Sequence, residues 1–215
     1  MKVLILGASG GVGVHLVKLA AEAGHEVTAL SRQPITAPAG VRVIVDDVAR
    51  PGALIEATRG QAAVLSSLGI RRKNQANPFS PLASPADFTS STAQQLVTAM
   101  KTNGVSRVIA VSASGIGDSE PGLNLMMRVF IRWTNVGANY RDLARMEQIY
   151  ASSGLDWLCV RPVGLTDKPK SGPVKQVPSF AFNSWISRAE VARWMVERLA
   201  DPTFSDRTPT IAEVP

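Results

Sequence analysis

The sequence predicts a doubly wound α/β fold, a parallel sheet with helices on both faces. Three observations predict it. The chain opens on a short apolar run that ends in the glycine-rich turn Gly7-Ala-Ser-Gly10-Gly-Val-Gly13 and passes straight into an amphipathic stretch. Strand and helix signals then alternate along the 215 residues, and strands separated by helix-length connections pair in parallel. Each of six predicted strands ends in glycine, a hydroxyl or a charge: Gly7, Ser31, Asp46, Ser67, Ser112 and Arg161. A ligand crevice lies at that C-terminal edge in the Rossmann arrangement, to which right-handed crossovers lead by default.

Taken in order, residues 2–6 are the first strand. Residues 12–23 are a helix closed by Gly24, a residue that tolerates the left-handed conformation of a helix end. Residues 26–30 and 41–45 are the second and third strands, the latter following a turn with proline and glycine. A short helix at 51–58 carries Pro51 in its first turn. The fourth strand is 62–65. A long helix at 86–103 is closed by Gly104, and 107–111 is the fifth strand. Residues 123–133 and 138–153 read as helices, 155–160 as a sixth strand stopped by Pro162, 188–200 as a late helix and 208–212 as a last strand. Residues 71–85 and 168–184 are irregular, and either border the crevice or are surface loops. Residues 123–133 either cap the substrate pocket or pack on the sheet; Met126, Met127, Phe130 and Trp133 read as core, and Trp185 as a candidate for the acceptor site. The whole is expected to be one dinucleotide-binding domain, 1–215, with substrate-side segments at about 113–140 and 164–187.

Composition narrows the function classes. A hydrophobic fraction of 45% can build a core, and no apolar run approaches the roughly 20 residues of a membrane span. Lys2 precedes only four apolar residues before Gly7, which is not a secretory leader's layout. A single cysteine, Cys159, sits in the apolar run Trp157-Leu-Cys-Val160 and reads as a buried structural thiol in a reducing compartment. The expectation is a cytoplasmic protein, monomeric or weakly dimeric. The net charge of +6 comes from scattered basic residues, with Arg71-Arg72-Lys73 the only run and no interleaved aromatics. Nucleic acid is therefore not expected; a pocket for anionic phosphates accounts for the excess. His15 and His25 carry no metal-ligand spacing, so no metal is expected.

The glycine turn reads as a phosphate cradle. Gly7, Gly10 and Gly13 stand where the backbone must bend and approach a pyrophosphate, and the helix behind offers unpaired N–H groups to an anion. After the second strand a carboxylate normally reads a ribose 2′-hydroxyl. Here the chain has Ser31-Arg32, which suits a 2′-phosphate, so NADP(H) is favoured over NAD(H). Asp46-Asp47-Val48 either meets adenine or caps the next helix. Ser67-Leu68-Gly69 runs beside the cofactor.

Further strings carry a family resemblance: Val111-Ser112-Ala-Ser-Gly115, Ser153-Gly-Leu-Asp-Trp157, Arg161-Pro162 and Ile186-Ser-Arg-Ala-Glu-Val-Ala192. Together with the glycine turn, Ser31-Arg32 and Asp46-Asp47-Val48 they resemble the atypical short-chain dehydrogenases/reductases, in the NAD(P)H-binding branch similar to biliverdin-IXβ/flavin reductase and NmrA-like proteins. The likeness runs from residue 1 to about 212. It implies cofactor contacts at Gly7, Ala8, Ser9, Gly10, Gly11, Val12, Gly13, Ser31 and Arg32. It places Asp47 and Val48 at adenine, Leu68 and Gly69 beside the ribose, and Ser112, Pro162 and Val163 around the nicotinamide.

One departure bears on chemistry. The wider superfamily relays a proton through Tyr-x-x-x-Lys; here Tyr140 is followed four residues on by Ala144. An unassisted phenol, with a pKa near ~10, is a poor base at neutral pH. Ser112 and Tyr140 remain the candidate catalytic residues. A flavin, quinone or conjugated carbonyl as small-molecule acceptor asks only for orientation, since its ring takes the hydride and water supplies the proton. The alternative is a non-catalytic NADP(H)-sensing regulatory protein of the NmrA-like kind.

Overall fold

Val3 and Ile5 pack into one hydrophobic cluster and Leu4 and Leu6 into another, all four fully buried. These four belong to β1 (Lys2–Leu6), and their alternation is what a central strand needs when both faces of its sheet are covered. The computed structural model describes residues 1–123, 125–169, 172–178 and 184–214. The elements after β1 are α1 (Gly13–Glu22), β2 (Glu26–Ser31), β3 (Arg42–Val45), α2 (Ala53–Thr58), β4 (Ala63–Ser66), α3 (Phe88–Asn103) and β5 (Arg107–Val111). There follow a 3-10 turn (Gly117–Gly122), α4 (Leu125–Trp133), α5 (Val136–Ala151), β6 (Asp156–Pro162), β7 (Gly164–Thr166), β8 (Val174–Gln176), β9 (Trp185–Ser187), α6 (Arg188–Glu197), a second 3-10 turn (Arg198–Ala200) and β10 (Thr210–Glu213).

The main sheet has the order β3-β2-β1-β4-β5-β6-β10-β8. Its strands are parallel from β3 through β10, and β8 closes the edge antiparallel to β10. The expectation of a parallel sheet is therefore corrected at this one edge. A three-residue strand has no readable period, so β8 was hidden in a stretch read as irregular. Side chains of α1 and α6 fill the cluster on one face, including Leu16, Ala20, Val191 and Met195. Those of α2, α3 and α5 fill the other, including Leu54, Leu96, Met100, Leu143, Met146 and Tyr150. Asp142 of α5 is fully buried and accepts from the N–H groups of Thr89 (2.7 Å) and Ser90 (3.1 Å), which ties α5 to the unsatisfied first turn of α3.

Two expectations near the sheet's upper edge change. Strand β6 does not stop before Pro162. Arg161 and Val163 donate to Pro209 and Ile211 on the β10 side, so the N–H that proline lacks falls on the β5 side, beyond the last residue of β5. Helix α4 does not pack on the sheet: none of its residues is buried, and Met126, Phe130 and Trp133 are exposed. It lies beside α5 without burying any of its own residues, and periodicity alone does not tell a covered stripe from an uncovered one. Strands β7 and β9 form a separate two-stranded parallel sheet. Cys159 is buried, and burial pushes its thiol up, away from nucleophilic character. Among the described residues no helix is long and apolar enough to cross a membrane.

Candidate cofactor site

A cleft of about 650 Å3 opens at the C-terminal ends of β1 to β5. Its floor is the glycine turn. Gly7 has φ +78°, and a Cβ there would stand 2.9 Å from Ser67 Oγ, so glycine is required both by conformation and by the approach of β4. Ser67 donates from its hydroxyl to the carbonyls of Leu6 and Gly7. A Cβ on Gly13 would lie 1.9 Å from the Gly7 carbonyl oxygen. Gly13 therefore serves the tight seating of α1 on the turn and is itself buried, as is Ala8. Ser9, Gly10, Gly11 and Val12 line the cleft. Among the described residues Gly11 and Val12 donate no hydrogen bond from their backbone N–H groups.

Beyond the turn, β2 delivers Ser31 and Arg32 to the same cleft. Ser31 Oγ is buried without a hydrogen-bond partner among the described residues, an arrangement that costs free energy unless a ligand satisfies it. Arg32 is exposed and forms no ion pair with any carboxylate of the described residues. The carboxylates that follow β3 are engaged locally. Arg50 grips Asp46 through Nε and Nη2, at 2.6 to 2.9 Å, and holds its carboxyl below the usual range. Asp47 accepts from the N–H of Ala49 in the turn before α2. Asp46 and Val48 line the cleft; Asp47 does not.

The far end is built by β4, β5 and α5. Ser67, Leu68 and Gly69 line it, and the N–H of Ile70 donates to Asn139 Oδ1 at 3.2 Å. Ser112 Oγ donates to Glu147 Oε1 at 2.5 Å. Glu147 also accepts from Arg161 Nε (3.0 Å) and Nη2 (2.7 Å), and Arg161 reaches Asp118 with Nη1. That last bond holds the Asp118 carboxyl below its usual range. This chain of four side chains was not foreseen. The sequence singles out Ser112 and Arg161 but neither Glu147 nor Asp118, and the packing of α5 and the 3-10 turn beside β5 and β6 brings the four together.

The face that α5 turns to the cleft also differs from the reading of the sequence. Asn139 and Leu143, four residues apart and so on one helical line, border the cleft. Tyr140 and Ala144 lie one step of about 100° around the helix and pack against the core cluster. Burial pushes the Tyr140 phenol up. The structure thus does not bring Tyr140 to the cleft lining. Pro162 and Val163 lie in the extended β6 and the core, and Leu165 and Asp167 line the cleft in their place. Trp185 instead borders a separate cavity of about 270 Å3 with Thr166, Lys168, Pro169 and Glu213.

The sequence profile of the NAD(P)H-binding family matches residues 7–202, from the glycine turn to just past α6. The chain belongs to the NAD(P)H-binding family. The cleft of this family member fits such a cofactor by its glycine cradle, its unpaired N–H groups and the orphaned hydroxyl of Ser31. A 3-diazoavenalumate denitrifying reductase from a Streptomyces species is 29% identical over 167 residues, 75% of this chain and 55% of that protein. The chain thus spans about half the length of this relative. Among solved structures, ChuY, an anaerobillin reductase from Escherichia coli O157:H7, is 23% identical with a TM-score of 0.78, covering 99% of this chain and 97% of that one. A short-chain dehydrogenase/reductase from Veillonella parvula, solved with NADP, is 18% identical with a TM-score of 0.75, covering 99% and 94%. At these identities the structural likeness shows the Rossmann fold.

Proposed function

We propose that the protein is an NADPH-dependent reductase that transfers a hydride to a flavin, a quinone or a related conjugated acceptor. The observation that carries the cofactor preference is Ser31 beside Arg32 at the end of β2: a buried hydroxyl without a partner and a guanidinium without a carboxylate. A 2′-phosphate satisfies both, by a charge-assisted bond to Arg32 and a bond from Ser31. When bound, NADPH supplies the hydride. The chain's residues bind and orient. The turn 9–13 holds the phosphates, Val48 flanks adenine, and Leu68 and Gly69 run beside the ribose.

Ser112 is a positioning group in this scheme. Its proton is committed to Glu147, so its remaining lone pairs accept, which suits the carboxamide N–H of a nicotinamide. It does not donate a proton to the acceptor. Since Tyr140 is turned away and Leu143 stands at the cleft, no Tyr–Lys relay operates, and the proton comes from water. That is adequate for a conjugated ring and poor for a simple alcohol or ketone. The reductase names of the Streptomyces and Escherichia coli relatives support the same class.

The absence of a relay at the cleft equally suits a second reading, an NADP(H)-sensing regulatory protein. Calorimetry with NADPH and NADH, followed by steady-state assays with FMN and a quinone panel, separates the two. Turnover of NADPH establishes the reductase. Tight binding of both redox forms with no turnover of any acceptor overturns it in favour of the sensor.

A further inference from the structure

Gly11 is the one residue of the turn whose smallness its own neighbourhood in sequence does not explain. It is not among the glycines with left-handed φ. A Cβ at this position would stand 2.7 Å from Arg188 Cδ and 2.9 Å from Arg188 Nε. The side chain of Arg188 therefore lies across the phosphate-binding turn, and glycine makes room for it. Arg188 opens α6, and the helix start is fixed by Ser187, whose hydroxyl oxygen accepts from the N–H of Glu190 at 3.2 Å. On the near side β9 pairs with β7, and one residue past β7 stands Asp167, whose Oδ1 lies 2.8 Å from Arg188 Nη1. Both residues line the cleft. The Asp167 side chain is 80% exposed and that of Arg188 28%. So exposed a carboxylate holds a guanidinium only weakly, whereas a pyrophosphate seated on the turn offers charge and several oxygens to it.

We propose that Arg188 is an anion clamp that closes over the cofactor's pyrophosphate from the opposite side of the glycine turn, and that Asp167 is the carboxylate it exchanges for that phosphate. The inference rests on the cofactor reading above and goes beyond it. It assigns a phosphate ligand from the C-terminal third of the chain and couples cofactor binding to the paired strands β7 and β9, of which β7 borders the cleft at Leu165.

The experiment is calorimetric titration of wild type, Arg188→Ala, Arg188→Lys, Asp167→Asn and Arg32→Ala with NADPH and NADH, and competition with 2′-AMP, which has the 2′-phosphate but no pyrophosphate. Thermal melts confirm that each variant is folded. Arg188→Ala weakens NADPH and NADH by the same factor, about 10- to 100-fold, and leaves 2′-AMP unchanged. Arg188→Lys recovers part of the loss. Asp167→Asn tightens both dinucleotides by a few-fold, because the competing charge is gone. Arg32→Ala shows the opposite selectivity, with losses confined to NADPH and 2′-AMP. The clamp is overturned if folded Arg188→Ala binds both dinucleotides within about twofold of wild type, or if it loses 2′-AMP as well. A wild-type protein that binds neither dinucleotide overturns the cofactor reading itself and the clamp with it.

Discussion

Replacing Glu147 with glutamine tests whether the floor beneath Ser112 is a buried ion pair. The side chains of Glu147 and Arg161 are 9% and 4% exposed. Glu147 accepts one bond from Ser112 and two from Arg161. Glutamine keeps the shape and one oxygen, but sets an N–H2 group against guanidinium donors. Breaking a buried pair from one side costs about 3–5 kcal/mol, because the other charge is left without compensation. Arg161 keeps Asp118, whose side chain is 82% exposed, so the lower end, about 3 kcal/mol, is expected. For a chain of this size that lowers Tm by about 6–12 °C. Arg161→Met costs a similar amount from the other side. The double variant removes both charges and loses about 2 kcal/mol, not the ~6 of independent losses, because no isolated charge remains. Urea melts followed by far-UV circular dichroism, with unchanged m-values, give the cycle. An additive double variant, or a Glu147→Gln protein within about 0.5 kcal/mol of wild type, would refute the reasoning and release Ser112 from the role assigned to it.

Arg32→Ala should weaken NADPH about 10- to 100-fold, the worth of a charge-assisted bond, and leave NADH within about twofold; equal losses in calorimetry would show that Arg32 does not read the 2′-phosphate. Gly13→Ala sets a methyl group 1.9 Å from the Gly7 carbonyl oxygen, so we expect a loss of more than about 3 kcal/mol in urea melts or no folded protein at all, and a near-native melt would contradict the packing role. The chain has two tyrosines, Tyr140 and Tyr150, and burial pushes both phenols above the ordinary value of 10.0. The unfolded chain ionises where the folded one does not, so stability is full below about pH 10 and falls as pH rises from there toward the folded values. Absorbance at 295 nm should therefore rise only with alkaline unfolding; a native-state titration centred at 10 would show an accessible phenol.

Most of the sheet was legible because a buried strand or an amphipathic helix declares itself locally. The alternation in Val3 to Leu6, the glycine after α1 and the Gly104 cap after α3 each need only a few neighbours to be understood. The place of Ser31 and Arg32 at the cleft was legible for the same reason, since it follows from where β2 ends. Features made by pairing between distant segments were not legible. The three-residue strands β7, β8 and β9 exist through their partners. Pro162 is tolerated in β6 because of where β5 ends. The exposure of α4 depends on how far α5, the helix beside it, covers its apolar stripe.

By itself the sequence determined the fold class, the glycine cradle and the chemistry available at the end of β2, since these follow from short-range geometry and residue type. Tertiary structure alone decided which line of α5 faces the cleft, and a step of about 100° puts Asn139 and Leu143 there in place of Tyr140 and Ala144. It also decided that Ser112 gives its proton to Glu147, and that Arg188 reaches back over Gly11 from the far end of the chain. Each of these depends on the relative placement of elements separated by tens of residues, which local patterning does not encode.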